Sequence, residues 1–223
     1  MKKTRVILTG ATGMVGEGVL HECLLHADVE AVLVITRKAI ATQHAKLKVV
    51  VHEDFYDFST IAEQLTGYDS CLFCLGVSSV GMKEKDYAHV TYDLTMALAR
   101  VLASVNADLT FCYISGAATD SSEKGRSMWA RVKGKTENDL LNLFKNGYMF
   151  RPGYMSPTKG LNNILKYYNY VDWMYPGLRL LFPNFVSTLR ELGLAMINSA
   201  LKGYDKRVLE VKDIVKLAGK KTQ

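Results

Sequence analysis

Residues 4–16 read TRVILTGATGMVG, and this stretch decides the fold. The apolar run from Arg5 to Thr9 is typical of a buried strand, and Gly10, Gly13 and Gly16 follow it at the start of a stretch with helical periodicity. A strand, a tight turn and a helix in this order expose backbone N–H groups at a helix N-terminus, where a dinucleotide pyrophosphate binds. The residues predicted to hold the pyrophosphate are Gly10, Ala11, Thr12, Gly13, Met14, Val15 and Gly16.

Strand-like and helix-like stretches alternate along the rest of the chain, which is the pattern of a parallel sheet covered by helices on both faces. The further predicted strands are 31–35, 48–51, 71–75, 109–114, 148–150 and 207–211, and the predicted helices are 14–26, 85–105, 127–144, 186–201 and 213–218. We therefore predict a single α/β domain, a Rossmann-type doubly wound parallel sheet with a small C-terminal cap segment. Residues 4–155 form the predicted cofactor-binding core, and residues 156–223 form the substrate or cap segment with a terminal strand and helix.

The residues after the second predicted strand indicate which nucleotide binds. An acidic residue there would accept a hydrogen bond from the adenosine ribose, whereas basic residues would pair with a 2′-phosphate. The chain has Arg37 and Lys38 at this point, so we predict NADP(H) in preference to NAD(H). The residues after the third and fourth strands that are placed to meet the adenine or to pass beside the cofactor are Asp54, Phe55, Leu75, Gly76 and Val77.

Composition and charge narrow the number of domains, the classes of partner and the cellular location that we expect for the protein. The 223 residues are 48% hydrophobic and carry a formal charge of +6, which suits one domain with a sizeable core and an anionic partner. No apolar run is long enough to span a bilayer, and the basic residues are spread along the chain without a nucleic-acid-reading motif. The four cysteines lie in apolar surroundings and the histidines are scattered, so we expect reduced thiols, no metal site, no nucleic acid and a cytoplasmic location.

The motifs together resemble the short-chain dehydrogenase/reductase superfamily, in its atypical branch that is similar to NAD-dependent epimerases and dehydratases. Residues 9–16 match that branch's Thr-Gly-x-x-Gly-x-x-Gly pattern, and residues 74–79 resemble its fourth-strand exit. The resemblance covers about residues 4–155. It implies NAD(P) binding, a catalytic and cofactor-contacting serine at Ser115, and a turn beside the nicotinamide that contains Pro152, Gly153 and Met155.

The resemblance breaks on the helix after the fifth strand. Members of the superfamily usually carry Tyr-x-x-x-Lys there, and four-residue spacing places both side chains on one helical face. This chain has Trp129 at the tyrosine position and retains Lys133, which the resemblance implies binds the nicotinamide ribose. An indole N–H donates a hydrogen bond but has no accessible ionisation, so Trp129 cannot act as the usual general acid or base.

Two hypotheses of function follow from this substitution. In the first, the protein is an NADP(H)-dependent oxidoreductase or epimerase-like enzyme for a small carbonyl, hydroxyl or sugar-nucleotide substrate. Ser115, Tyr87, Tyr154 or a water molecule held by Lys133 then supplies the proton. In the second, it is a catalytically reduced NADP(H)-binding or redox-sensing module.

Two features of the chain lie outside these motifs. The aromatic residues Tyr167, Tyr168, Tyr170, Trp173 and Tyr175 either line the substrate cap, dock a partner or fill a small second core. The two long helices 85–105 and 127–144 are placed to pair in a homodimer, an expectation that rests on analogy with the superfamily.

Overall fold

The computed structural model describes residues 3–163 and 174–219. Within them the strands are β1 (Thr4–Thr9), β2 (Val29–Thr36), β3 (Leu47–Val51), β4 (Ser70–Phe73), β5 (Thr110–Ile114), β6 (Gly147–Arg151), β7 (Tyr154–Ser156), β8 (Val186–Thr188) and β9 (Val208–Glu210). The helices are α1 (Met14–Leu25), α2 (Glu84–Ala88), α3 (Leu94–Val105), α4 (Met128–Leu143), α5 (Tyr175–Leu181), α6 (Leu189–Lys202) and α7 (Val211–Ala218). A 3-10 helix spans Ser59–Leu65, and a π-helical turn, His89–Asp93, joins α2 to α3.

Seven strands lie parallel in the main sheet, in the order β3-β2-β1-β4-β5-β6-β9. The chain runs outward from β1 to β3 on one side and then returns to place β4 on the other side of β1. Such a reversal leaves a crevice at the carboxyl ends of the two central strands, because the connections leave in opposite directions. The predicted Rossmann-type doubly wound fold is confirmed.

The apolar strand runs follow from burial on both faces of the sheet. Val6 and Leu8 belong to the core cluster that α1, α6 and α7 cover, whereas Ile7 belongs to the cluster that α3 and α4 cover. Successive side chains of a strand point to opposite faces, so the part of a central strand that is buried on both faces is apolar at successive positions. Val6, Ile7 and Leu8 therefore show no polar alternation, whereas Arg5, near the start of β1, is exposed.

Several predicted boundaries are wrong. β4 ends at Phe73, before Cys74 and Leu75, the π-helical turn interrupts the predicted helix 85–105, and Val211 begins α7 instead of ending the last strand.

A further difference lies at the start of α6. Residues 186–188, predicted as the start of a helix, form β8, which pairs with β7 in a separate two-stranded parallel sheet. The helix α6 begins only at Leu189, because Thr188 caps it: Thr188 Oγ1 accepts from the backbone N–H of Glu191 at 3.0 Å, and the Glu191 carboxylate accepts from the backbone N–H of Thr188 at 2.8 Å. The apolar periodicity of 186–201 did not reveal this capping box.

The C-terminal region divides between a cap and the main body. The small sheet and α5 lie beyond the exit of β6, whereas α6 packs on α1 and β9 extends the main sheet next to β6. The aromatic residues Tyr167, Tyr168, Tyr170 and Trp173 fall outside the described residues, and no helix in the described part of the chain is long and apolar enough to cross a membrane.

The capping box of α6 can be tested by substitution. We expect Thr188→Ala to lower the free energy of unfolding by about 1 kcal/mol, because the N–H of Glu191 loses its side-chain acceptor. Ser127→Ala is the matched control, since Ser127 precedes α4 without making a side-chain cap hydrogen bond. Denaturant unfolding of both variants measures the difference, and equal effects of the two substitutions would contradict the assigned role of Thr188.

Candidate functional site

The glycine loop between β1 and α1 places its three glycines in three different environments. Gly10 has φ +76°, and a Cβ on it would lie 2.7 Å from the carbonyl carbon of Cys74. A Cβ on Gly16 would lie 2.0 Å from the carbonyl oxygen of Gly10, so the first turn of α1 is in close contact with the residue that follows β1. Gly13 is exposed, and a Cβ on it would have no neighbour closer than the Gly10 oxygen at 3.6 Å. The loop thus keeps open space beside Gly13, at the N-terminus of α1, where a phosphate group fits.

A cleft of about 410 Å³ opens beside this loop, at the carboxyl ends of β1 and β2. Its lining residues are Gly10, Thr12, Ile35, Thr36, Arg37, Lys38, Phe55 and Leu75. The hydroxyl of Thr36 donates to the carbonyl oxygen of Lys38 at 3.0 Å, which fixes the turn that carries the two basic residues. Arg37 and Lys38 are exposed, so their charges face the cleft without an acidic partner among the described ion pairs.

A narrower pocket of about 190 Å³ continues from this cleft toward α3. Its lining residues are Arg37, Glu53, Asp54, Phe55, Tyr56, Leu75, Val77, Val90 and Leu94. The structure thus brings together Arg37, Asp54, Phe55, Leu75 and Val77, which the sequence predicted separately. Sequence reasoning missed Glu53, Tyr56, Val90 and Leu94 as lining residues. Val90 and Leu94 lie four residues apart on the predicted helix 85–105, and this spacing, which places both on one helical face, could have indicated them.

The other predicted loop residues contribute mainly through the backbone. Ala11 is buried, and the side chains of Met14 and Val15 are partly buried against the core beneath α1. Gly76 is exposed and has open space where a Cβ would be. Their predicted contacts with a cofactor therefore involve N–H and C=O groups, and they stay predictions.

Ser115, just after β5, has its hydroxyl directed into the protein. It donates to Glu137 Oε1 at 2.5 Å and lies 3.0 Å from the carbonyl oxygen of Phe150. Glu137 is fully buried on α4, where it forms an ion pair with Arg151 through both guanidinium Nε, at 3.0 Å, and a terminal nitrogen. The Ser115 side chain, 5% exposed, is thus engaged inside the protein, and its predicted contact with substrate stays a prediction.

Lys133 and Trp129 lie on one face of α4 and both approach the residues that follow β5. The Lys133 ammonium donates to the carbonyl oxygen of Ser115. The Trp129 ring lies 3.9 Å from where a Cβ on Gly116 would be. Burial lowers the pKa of Lys133 to about 8, and the negative charge of Glu137 partly opposes this shift by raising it.

The turn after β6 lies against the exit of β5. The carbonyl oxygen of Pro152 accepts from the backbone N–H of Ala117 at 2.9 Å, and a Cβ on Gly153 would lie 2.3 Å from the carbonyl oxygen of Phe185 in the cap. The Met155 side chain is buried in the core cluster beneath α1 and α6. Pro152 and Gly153 therefore lie at the predicted edge of the site, whereas the side chain of Met155 packs in the core.

A carboxylate links the glycine loop to the cap. Glu17, in the first turn of α1, accepts from the backbone N–H groups of Asn162 at 2.9 Å and Asn163 at 2.7 Å. These two hydrogen bonds hold residues 162 and 163 against the first turn of α1, the helix that would hold the pyrophosphate.

Comparison with known proteins identifies the class of fold and site. The profile of the NAD dependent epimerase/dehydratase family matches residues 6–127, more than half of the chain. The chain belongs to this family, and with it to the NAD(P)-binding Rossmann proteins that its glycine loop resembles.

Curated relatives are similar at a lower level. Leucinostatins biosynthesis cluster protein T of Purpureocillium lilacinum is 29% identical over 143 residues, which cover 62% of this chain and 51% of that protein. Protein fmp52-1, mitochondrial, of Aspergillus terreus is 28% identical over 161 residues, which cover 69% of this chain and 68% of that protein. The chain thus spans about half the length of the first relative and about two thirds of the second.

Solved structures share the fold. A UDP-N-acetylglucosamine 4-epimerase from Methanobrevibacter ruminantium M1, in complex with UDP-N-acetylmuramic acid, has a TM-score of 0.64 at 13% identity, over 97% of this chain and 81% of that one. The Bordetella bronchiseptica enzyme WbmF, in complex with NAD+, has a TM-score of 0.65 at 16% identity, over 97% of this chain and 77% of that one. These similarities extend the Rossmann-type fold over nearly the whole chain.

The separate tasks of the glycines can be tested by adding one methyl group. We expect Gly13→Ala to change the free energy of unfolding by less than about 1 kcal/mol, since its backbone suits alanine, but to weaken NADPH binding about tenfold or more by filling the phosphate space. Gly16→Ala should instead destabilise the fold by about 1–3 kcal/mol through its clash with Gly10. Denaturant unfolding and NADPH fluorescence titration measure the two effects, and unchanged NADPH affinity in Gly13→Ala would contradict the assignment.

Proposed function

We propose that the protein is an NADP(H)-dependent oxidoreductase that acts on a small carbonyl or hydroxyl compound. The observation that carries this proposal is that Arg37 and Lys38 line the same cleft as Gly10 and Thr12 of the glycine loop. A 2′-phosphate on the adenosine ribose carries about two negative charges and needs cationic donors, and Arg37 offers a planar fork that can bind it at two points.

Residues that line the two pockets and residues beyond them, Gly13 and Lys133, would divide the nucleotide between them. The backbone at Gly13 and the N-terminus of α1 would bind the pyrophosphate, the side chains of Phe55 and Val77 would enclose the adenine, and Lys133 would bind the nicotinamide ribose. When bound, a nicotinamide dinucleotide supplies or accepts a hydride, which the side chains of this chain cannot do. The protein's own task is therefore to orient the substrate and to move a proton.

A second candidate, an NADP(H)-binding or redox-sensing module, rests on Trp129. The indole occupies the position of the usual tyrosine and leaves the described site without a phenol on that helical face. In this case the cleft would bind the nucleotide, and turnover would be low or absent.

Three further predictions accompany the proposal. A sugar nucleotide is the alternative substrate class, since the Methanobrevibacter ruminantium epimerase, which shares the fold, is in complex with UDP-N-acetylmuramic acid. The cytoplasmic location and the homodimer stay predictions, and the Aspergillus relatives carry the word mitochondrial in their names.

The nucleotide preference can be tested at Arg37. We expect Arg37→Ala to weaken NADPH binding by about ten- to a hundredfold, because the 2′-phosphate loses a charge-assisted hydrogen bond. NADH binding should stay nearly unchanged, because NADH has no 2′-phosphate. Lys48→Ala, which removes an exposed positive charge on β3, is the control and should leave both affinities unchanged. Fluorescence titration with both nucleotides measures this, and an NADPH affinity unaffected in Arg37→Ala would remove the basis for the NADP(H) preference.

The choice between enzyme and binding module can be tested at Trp129. We expect the wild-type protein to oxidise NADPH in the presence of a carbonyl compound from a panel of aliphatic aldehydes and 9,10-phenanthrenequinone. Trp129→Phe should retain turnover within about tenfold, because the indole does not transfer the proton. If instead the wild-type protein binds NADPH without turnover and Trp129→Tyr gains it, the binding module is the better description.

A further inference from the structure

The source of the proton is the step that the loss of the tyrosine leaves open. Three hydroxyl groups were candidates, and all three are buried: Ser115 donates to Glu137, the Tyr87 side chain is 2% exposed, and the hydroxyl oxygen of Tyr154 is buried. Thr119, in the same loop, donates to the carbonyl oxygen of Gly116 at 2.8 Å. None of these hydroxyls presents its proton at the surface of the cleft.

The Lys133 ammonium differs from these hydroxyls in its position. Lys133 is only partly buried, and its ammonium lies at the carboxyl end of β5. The neighbouring strand β4 leads to Leu75, which lines the candidate cofactor cleft. An ammonium has three donors and the described contact with Ser115 uses one of them, so two remain for substrate and ribose oxygens.

Resting on the proposed function, we infer that the Lys133 ammonium itself delivers the proton to the substrate oxygen, with Ser115 and Glu137 as positioning residues. The Glu137 carboxylate accepts hydrogen bonds from the Ser115 hydroxyl and the Arg151 guanidinium. These bonds hold Ser115 in place, and its backbone carbonyl oxygen accepts from the Lys133 ammonium. A carboxylate with two such partners stays in place in the protein interior, because its charge is paired and hydrogen-bonded.

The proton and the electrons balance in this step. In the reducing direction the carbonyl carbon receives a hydride that a reduced nicotinamide dinucleotide would supply, and the electron pair of the C=O π bond moves to the oxygen. That oxygen takes the proton from the Lys133 ammonium and becomes a hydroxyl group, and the neutral amine regains a proton from water. In the oxidising direction the neutral amine accepts the hydroxyl proton, and an oxidised nicotinamide dinucleotide would accept the hydride.

The surroundings of Lys133 suit a group that must both give and take a proton near neutral pH. Burial lowers its pKa to about 8, so both protonation states are populated at working pH. The other titratable groups on elements packed against α4 interact with one another: Glu84 with Arg131, Tyr92 and Lys135 with Asp139, Arg100 near Asp139, Tyr87 near Tyr113, Tyr113 near Glu137, and Arg151 with Glu137. Among the described residues, Glu137 supplies the charge that acts on the Lys133 pKa.

Trp129 is compatible with this arrangement. Its ring lies 3.9 Å from where a Cβ on Gly116 would be, and the Lys133 ammonium contacts the preceding residue, so both side chains lie near the same stretch of backbone. An indole in place of a phenol does not compete with the ammonium for the transferred proton, because the indole has no accessible ionisation.

The test uses the full chain and two readouts. Reductive dimethylation with 13C-formaldehyde gives each lysine an NMR signal that reports its titration, and the signal missing in Lys133→Arg identifies Lys133. We expect this signal to titrate with a midpoint near pH 8, with and without bound NADP+, whereas surface lysines titrate near their usual value of about 10.4. In Glu137→Gln the midpoint should fall, because a negative charge near the ammonium has been removed.

The second readout is single-turnover oxidation of saturating NADPH with 9,10-phenanthrenequinone between pH 6 and 10. The ammonium is the acid, so the rate should be highest at low pH and fall as pH rises through about 8. Lys133→Arg should abolish this inflection, because its guanidinium stays charged throughout, and Lys133→Met should lower the rate about a hundredfold or more. Lys135→Met, on the exposed side of the same helix, is the matched control and should keep the wild-type profile.

The outcomes separate this inference from the proposed function. A Lys133 midpoint near 10, or an inflection that persists in Lys133→Arg, overturns the inference even when NADPH binds and is oxidised. Binding of NADPH without turnover at any pH overturns the proposed oxidoreductase activity and the inference together. Failure to bind NADPH overturns the proposed function instead, and the NMR midpoint still decides whether the amine has the titration that the inference requires.

Discussion

The contact between Gly16 and the carbonyl oxygen of Gly10 is the constraint on which the site depends. A Cβ on Gly16 would lie only 2.0 Å from that oxygen, so α1 can approach the end of β1 only because this residue has no side chain. The approach directs the first N–H groups of α1 over the carboxyl edge of the sheet. Gly10, which this contact holds in place, lines the same cleft as Arg37 and Leu75.

A second constraint acts at the carboxyl ends of β5 and β6. The fully buried Glu137 joins α4 to the exits of β5 and β6 through Ser115 and Arg151. Removing one partner from such a group leaves a buried charge unpaired, which costs several kcal/mol, so the three side chains depend on one another. The same network includes Lys133, whose ammonium donates to the backbone carbonyl oxygen of Ser115.

The sequence predicted the fold and the nucleotide half of the site, because both depend on local pattern. Glycine spacing, apolar runs and the residues directly after each strand are enough to place Gly10, Arg37, Asp54 and Leu75 at one edge of a parallel sheet. The orientation of the Ser115 hydroxyl could not be predicted this way, because it depends on Glu137 and Phe150, which lie 22 and 35 residues further along the chain. A carboxylate on the inner face of α4 was the available signal, and it acquires meaning only when β6 brings Arg151 beside it.

The bond between Glu17 and the cap restricts how chains of this kind can vary. Glu17 lies in the first turn of α1, where a negative charge without a partner would repel a pyrophosphate at the same helix end. The backbone N–H groups of Asn162 and Asn163 engage that carboxylate. A deletion just before Asn162 would shift both groups along the chain and release the carboxylate toward the nucleotide. The two hydrogen bonds to Glu17 use backbone groups, so they constrain the length of the segment that leads to residue 162 and place no demand on the side chains of Asn162 and Asn163.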